Sequence, residues 1–126
     1  MASMTPETRA KIAITKMIHA LLRPLSAAYS LRNTPAPMGI GKGGRPDMML
    51  ILNGHTIEIE VKSAVSRGKP TPLQEQWLRE TFNAGGDAWV VWGDQETELG
   101  WLKDRLLAIY NGEGVPSLKL RRINAL

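Results

Sequence analysis

Asp47, Glu60 and Lys62 are the side chains of this sequence whose types and spacing could do chemistry together. The runs at 48–52 and 55–62 are β-rich and are joined by Asn53-Gly54, the strongest short signal for a two-residue hairpin turn. With Asn53 and Gly54 as the turn, Leu52 pairs with His55, and counting back along both strands sets Asp47 opposite Glu60. Opposed residues share a face with Cβ atoms roughly 4.5–5.5 Å apart, where two like charges repel, so the pair needs a cation. Alternation puts Glu58, Glu60 and Lys62 on one side of the second strand and Ile57, Ile59 and Val61 on the other. The apolar side, shared with Met48, Leu50 and Leu52, pins the register, because a slip by one residue would expose all of it. One polar patch therefore carries two carboxylates and an ammonium. That set suits a hard divalent cation, Mg²⁺ or Mn²⁺, which takes one or two protein carboxylates and completes its shell with water and phosphate oxygens. A metal so held activates water and offsets phosphoryl charge, and a neighbouring lysine orients the water or neutralises the transition state. The chemistry implied is phosphodiester hydrolysis.

Glu60-Val61-Lys62 alone is a weak signal, since a solvated hairpin face crossed by a diagonal salt bridge reads the same way. What separates the two is the register that brings in Asp47, behind Pro46 and a Gly-rich loop. Glu7 lines up at helical spacing with Ile14 and Leu21. It either favours the helix dipole from the first turn or is a carboxylate in need of a partner. Gln74, three residues after Thr71, fits a capping box. Glu58, opposite Met49, is one pair further from Asp47 and is a candidate for an outer contact. Gly39-Ile40-Gly41-Lys42-Gly43-Gly44 matches a nucleotide-loop pattern, but no helix opens after it and a strand follows, so no nucleotide cofactor is expected. His19 and His55 are poorly placed as ligands, and Trp77, Trp89, Trp92 and Trp101 occupy apolar positions suited to a core or interface.

The elements that must position this patch follow from spacing. Thr5-Pro6-Glu7 starts a helix over 6–22 with Ile14, Met17, Ile18, Leu21 and Leu22 at helical intervals, closed by Pro24. Residues 27–32 suit a short strand, and 33–46 form a Pro- and Gly-rich loop entering the site. After the hairpin, 63–70 is a polar loop, and Thr71-Pro72 opens a helix to about Asn83 that Gly85-Gly86 ends. A short strand at 88–92, apolar enough to be covered on both faces, precedes a helix at 98–110. The tail at 117–126 has no assigned role. This order describes an α/β domain, a central mixed sheet flanked by helices, and 126 residues suit one such domain spanning 1–126.

Composition narrows the chemistry further. The absence of cysteine excludes disulfides and thiolate metal sites. Sixteen Lys+Arg against 12 Asp+Glu, a net charge of +4, suit a phosphate-bearing partner. Lys42, Arg45, Arg67 and Lys69 flank the patch in sequence and are the candidate phosphate contacts. No apolar run is long enough to span a membrane, so a cytoplasmic protein without membrane contact is expected.

The ordered set Gly44-Arg45-Pro46-Asp47, Glu60-Val61-Lys62, Gly68-Lys69-Pro70-Thr71-Pro72 with Gln74, and Ala84-Gly85-Gly86 resembles the virus-type replication-repair nuclease (VRR-NUC) branch of the PD-(D/E)XK superfamily, over about residues 5–92. The resemblance implies a restriction-endonuclease-like fold. It also implies a metal held by Asp47, Glu60 and the Val61 carbonyl, with Lys62 as the catalytic lysine. It places a metal-proximal glutamate on the first helix, at Glu7, and a glutamine beside the site, at Gln74. Stand-alone members are mostly phage proteins similar to dimeric Holliday-junction resolvases. The expectation is thus a Mg²⁺- or Mn²⁺-dependent DNA endonuclease acting on branched DNA as a homodimer, in the host cytoplasm if phage-encoded. The alternatives are a nucleic-acid-binding module with an unused nuclease site and an exonuclease on the same fold.

Overall fold

The computed structural model describes residues 4–34, 45–66 and 68–112. Lys42, Arg67, the glycine-rich run at 39–44 and the tail at 117–126 lie outside them. The elements are α1 (Pro6–Leu22), β1 (Tyr29–Asn33), β2 (Met48–Leu52), β3 (His55–Lys62), α2 (Pro72–Asn83), β4 (Asp87–Trp92) and α3 (Glu96–Tyr110). They agree with the expected order. β1 sits slightly later than expected, β4 begins one residue earlier and α3 two residues earlier. No helix among the described residues is long and apolar enough to cross a membrane.

Asn53 (φ 50°) and Gly54 (φ 81°) both adopt positive φ, the conformation a tight hairpin turn demands, and the β2–β3 register runs from Leu52↔His55 to Met48↔Ile59 as counted. β1 adds antiparallel to β2, and β4 adds parallel to β3, giving the order β1-β2-β3-β4. A parallel pair cannot be joined by a tight turn, and α2 provides the crossover.

The register sorts the sheet into two faces. Met48, Leu50, Leu52, Ile57, Ile59, Val61, Trp89 and Val91 pack with Ala10, Ile14, Ile18 and Leu22 of α1 and Leu102 and Leu106 of α3. The other face sets Ala88 and Val90 against Leu78 of α2, with Phe82 and Trp92 at the margin. Among the described residues β4 is an edge strand, yet its residues 87–91 are buried because helices cover both its sides. At the start of β4, the fully buried Asp87 receives Arg105 Nη2 at 3.3 Å and His55 Nε2 at 3.0 Å, which ties α3 to the sheet far from Lys62.

At the opposite end, α1 comes down on Gly93, where a Cβ would collide with the Ala10 carbonyl. Only glycine admits this approach, and it carries the first turns of α1 over the ends of β3 and β4.

Candidate active site

Residues from four segments meet at that end. β3 carries Glu60 and Lys62, the segment leading into β2 carries Asp47, α1 carries Glu7 and Lys11, and the first turn of α2 carries Gln74. Together with Thr5 and Thr8 they line an open cleft.

Asp47 stands one residue before β2, just past the last ladder pair. Its carboxylate uses this freedom to accept the Val61 N–H through Oδ2 at 2.8 Å. Lys11 Nζ lies 3.4 Å from Asp47 Oδ1. Glu60 is almost fully buried on the face covered by α2, and its Oε2 faces Lys62 Nζ at 3.1 Å and accepts a hydrogen bond from Gln74 Nε2 at 2.8 Å. Lys62 Nζ also approaches Glu7 Oε1 at 3.7 Å. The like charges that the hairpin register forces together are thus met by ammonium groups.

Glu7, Asp47 and Glu60 each present a carboxylate oxygen within 4.8 Å of the others. Hard oxygen donors at this spacing are the set a Mg²⁺-sized ion takes, so the residues fit such a metal by their chemistry. Glu7 is on the side of α1 that carries Ile14, but in the first turn it overhangs the sheet end, and its side chain is 46% exposed.

Gln74 performs two tasks at once. Its Oε1 accepts the Thr71 N–H at 2.8 Å and its N–H donates to Thr71 Oγ1 at 3.2 Å, closing the capping box, while its Nε2 reaches Glu60. Glu58 is engaged elsewhere: Trp77 Nε1 and Thr81 Oγ1 donate to its two oxygens at 2.7 and 2.8 Å, fixing α2 on β3. His19 pairs with the Tyr29 hydroxyl and His55 with Asp87, so neither joins the cleft. Trp89 is buried and packs edge-on to Trp101.

The turn after Lys62 is held by Asp94. Ser63 Oγ donates to Asp94 Oδ2 at 2.6 Å, and the Ala64 and Val65 N–H groups donate to its oxygens at 3.0 and 3.3 Å. Burial pushes this carboxyl up, but the bonds from Ser63, Ala64, Val65 and its own backbone outweigh burial and leave the pKa below the usual 3.8. Trp92 Nε1 donates to the Gly68 carbonyl at 3.1 Å, securing the far side of the loop. Lys69 is exposed on that loop, and exposed Arg45 borders a groove shared with Arg32, Met49 and Trp77.

Sequence reasoning missed Lys11. The signal was present, since Lys11 lies four residues after Glu7 and so one turn along the same side of the helix.

No family model matches the sequence, and no curated protein does. The chain is similar to a solved structure described as a VRR_NUC domain, with a TM-score of 0.57 and 24% identity over 85% of this chain and 99% of that one. At this identity the likeness establishes the fold, a mixed sheet flanked by helices, which is the fold that the sequence resemblance implied.

Proposed function

We propose that the chain is a metal-dependent nuclease domain of the VRR-NUC type that hydrolyses phosphodiester bonds in DNA. The observation that carries this is the convergence of Glu7, Asp47 and Glu60 with Lys62 in one open cleft. The VRR_NUC-like fold supports it.

Asp47, Glu60 and Glu7 are the residues that would hold Mg²⁺ or Mn²⁺. The Val61 carbonyl is a further donor: the N–H and C=O of one strand residue point to the same side, and the Val61 N–H points to Asp47. When bound, such an ion supplies a nucleophile at neutral pH and offsets charge on the phosphoryl group. Lys62 contributes a fixed positive charge where the transition state gathers negative charge, and Glu60 and Glu7 aim it. Gln74 keeps Glu60 Oε2 in place, so the carboxylate need not reorganise during the reaction. Lys42, Arg45, Arg67 and Lys69 are the candidate contacts to flanking phosphates. The substrate follows from the family resemblance: branched DNA, Holliday junctions included, acted on by a homodimer.

The test is cleavage of labelled linear, flapped, four-way-junction and single-stranded DNA with and without Mg²⁺ or Mn²⁺. The parent is expected to cut with either metal and to be silent in chelator, and Asp47→Ala and Glu60→Ala to abolish cutting while still binding DNA. Lys62→Ala should slow single-turnover cleavage by ~10² or more and lower DNA affinity far less. Lys62→Met, which keeps the stem, should be nearly as slow. Full activity in chelator sinks the metal reading. Tight junction binding with no cleavage under any metal replaces the nuclease by a binding module, and release of mononucleotides from ends replaces the endonuclease by an exonuclease.

A further inference from the structure

Among the described residues that line the cleft, Lys11 is the cation to which the nuclease reading gives no task. Its side chain is 36% exposed, whereas that of the Asp47 it faces is 7% exposed. Asp47 Oδ2 takes the Val61 N–H, and Oδ1 is the oxygen Lys11 reaches. A metal drawing on Oδ1 therefore competes with the Lys11 ammonium for the same atom.

The charges of the cleft sharpen the point. Among the described residues, Glu7, Asp47 and Glu60 against Lys11 and Lys62 leave one net negative charge. A divalent cation alone reverses that to one positive charge, which a single phosphodiester then neutralises. A phosphate in the cleft also offers Lys11 a new acceptor. Lysine can make the exchange because its ammonium is a point charge with three rotatable donors on a flexible four-carbon stem.

We propose that Lys11 couples metal and DNA binding: it neutralises Asp47 in the absence of DNA and transfers to a phosphate when DNA arrives, releasing Asp47 to the metal. This rests on the nuclease reading of the same cleft. By linkage the effect is reciprocal, so DNA tightens metal binding by the factor that metal tightens DNA binding. In this scheme Lys11 acts on the metal through Asp47 and on DNA by its own contact with a phosphate.

Titration calorimetry with Ca²⁺, a hard oxygen-seeking probe, tests it on the parent, Lys11→Met, Lys11→Gln and Lys11→Arg, each alone and bound to a short duplex. Both neutral variants are expected to bind Ca²⁺ without DNA roughly three- to fivefold more tightly than the parent, the range for loss of a partly exposed ion-pair competitor. The tightening that DNA confers should shrink by the same factor, and Lys11→Arg should retain most of it. A purely structural lysine would weaken metal binding or leave it unchanged. Unaltered Ca²⁺ affinity in the neutral variants, undiminished coupling, or loss of coupling in Lys11→Arg overturns the inference while leaving the nuclease intact, provided that the parent binds Ca²⁺ and Asp47→Ala does not. Failure of the parent to bind Ca²⁺, or binding that survives Asp47→Ala, overturns the metal site itself and the inference with it.

Discussion

Gln74 shows how one side chain serves both a helix and a cleft. Its amide oxygen and backbone N–H close the capping box with Thr71, and its amide nitrogen is left to hold Glu60. The two tasks separate by mutation. Thr71→Ala breaks the box alone and should cost about 0.5–2 kcal/mol of stability with little change in single-turnover cleavage. Gln74→Ala should cost a similar amount and in addition slow cleavage about tenfold, the equivalent of losing ~1.5 kcal/mol from one hydrogen bond to a charged group. Thermal melting beside cleavage rates decides, and equal cleavage by the two variants would reduce Gln74 to a cap. Much at this scale was legible: the hairpin turn fixes the register, the register brings Asp47 to the Glu60 end of β3, and the Thr71 to Gln74 spacing announces the box. Two features were not. Helical spacing grouped Glu7 with Ile14, yet its exposure depends on where α1 ends relative to the sheet, which the contact of Ala10 with Gly93 decides. The spacing of Lys11 from Glu7 set it on the same side of α1, but its meeting with Asp47 joins residues far apart in sequence and depends on the same placement of the helix.

Among the elements, the stretch at 63–66 that follows β3 forms neither helix nor strand and is held from outside. Asp94 accepts from Ser63, Ala64 and Val65 at one end, and Trp92 grips Gly68 at the other, so the β4–α3 junction fixes the loop that follows the lysine. The folded-state pKa of Asp94 lies below its ordinary value, so its contribution to stability is complete above about pH 5 and is lost as pH falls through 3.8 and below. Thermal melts of the parent and Asp94→Ala across pH should differ most between pH 5 and 8 and draw together as pH falls below 3.8. A gap independent of pH would show that packing, not the ionised carboxylate, holds the turn. The clamp was not legible because it ties β3's exit to a residue 31 positions on. The order of elements was legible from periodicity and from Pro and Gly punctuation. The side of the sheet on which each helix lies was not, because it depends on the β3–α2–β4 crossover and on α1 and α3 sharing one face.

For the whole molecule, the decisive property is the mismatch between an acidic cleft and a chain of net charge +4. On the proposed reading, carboxylates that would hold a metal repel a polyanion, so attraction would come from basic residues around them. Arg45 lies two residues before Asp47 and Lys69 sits on the loop that Trp92 secures, both exposed. Contacts of this kind release counterions from DNA, and each phosphate neutralised contributes roughly 0.9 to the slope of log affinity against log salt. Arg45→Ala and Lys69→Ala are therefore expected to weaken binding by a similar factor on every sequence tested and each to flatten the slope by up to about 0.9, with the double variant additive. Asp47→Ala should act in the opposite sense without metal, tightening binding because a repelling charge is gone. Fluorescence anisotropy from low to moderate salt in chelator isolates these terms from catalysis. Slopes unchanged in both basic variants would place the DNA path on another face, and loss of affinity on one sequence only would mean that Arg45 or Lys69 reads bases rather than the backbone.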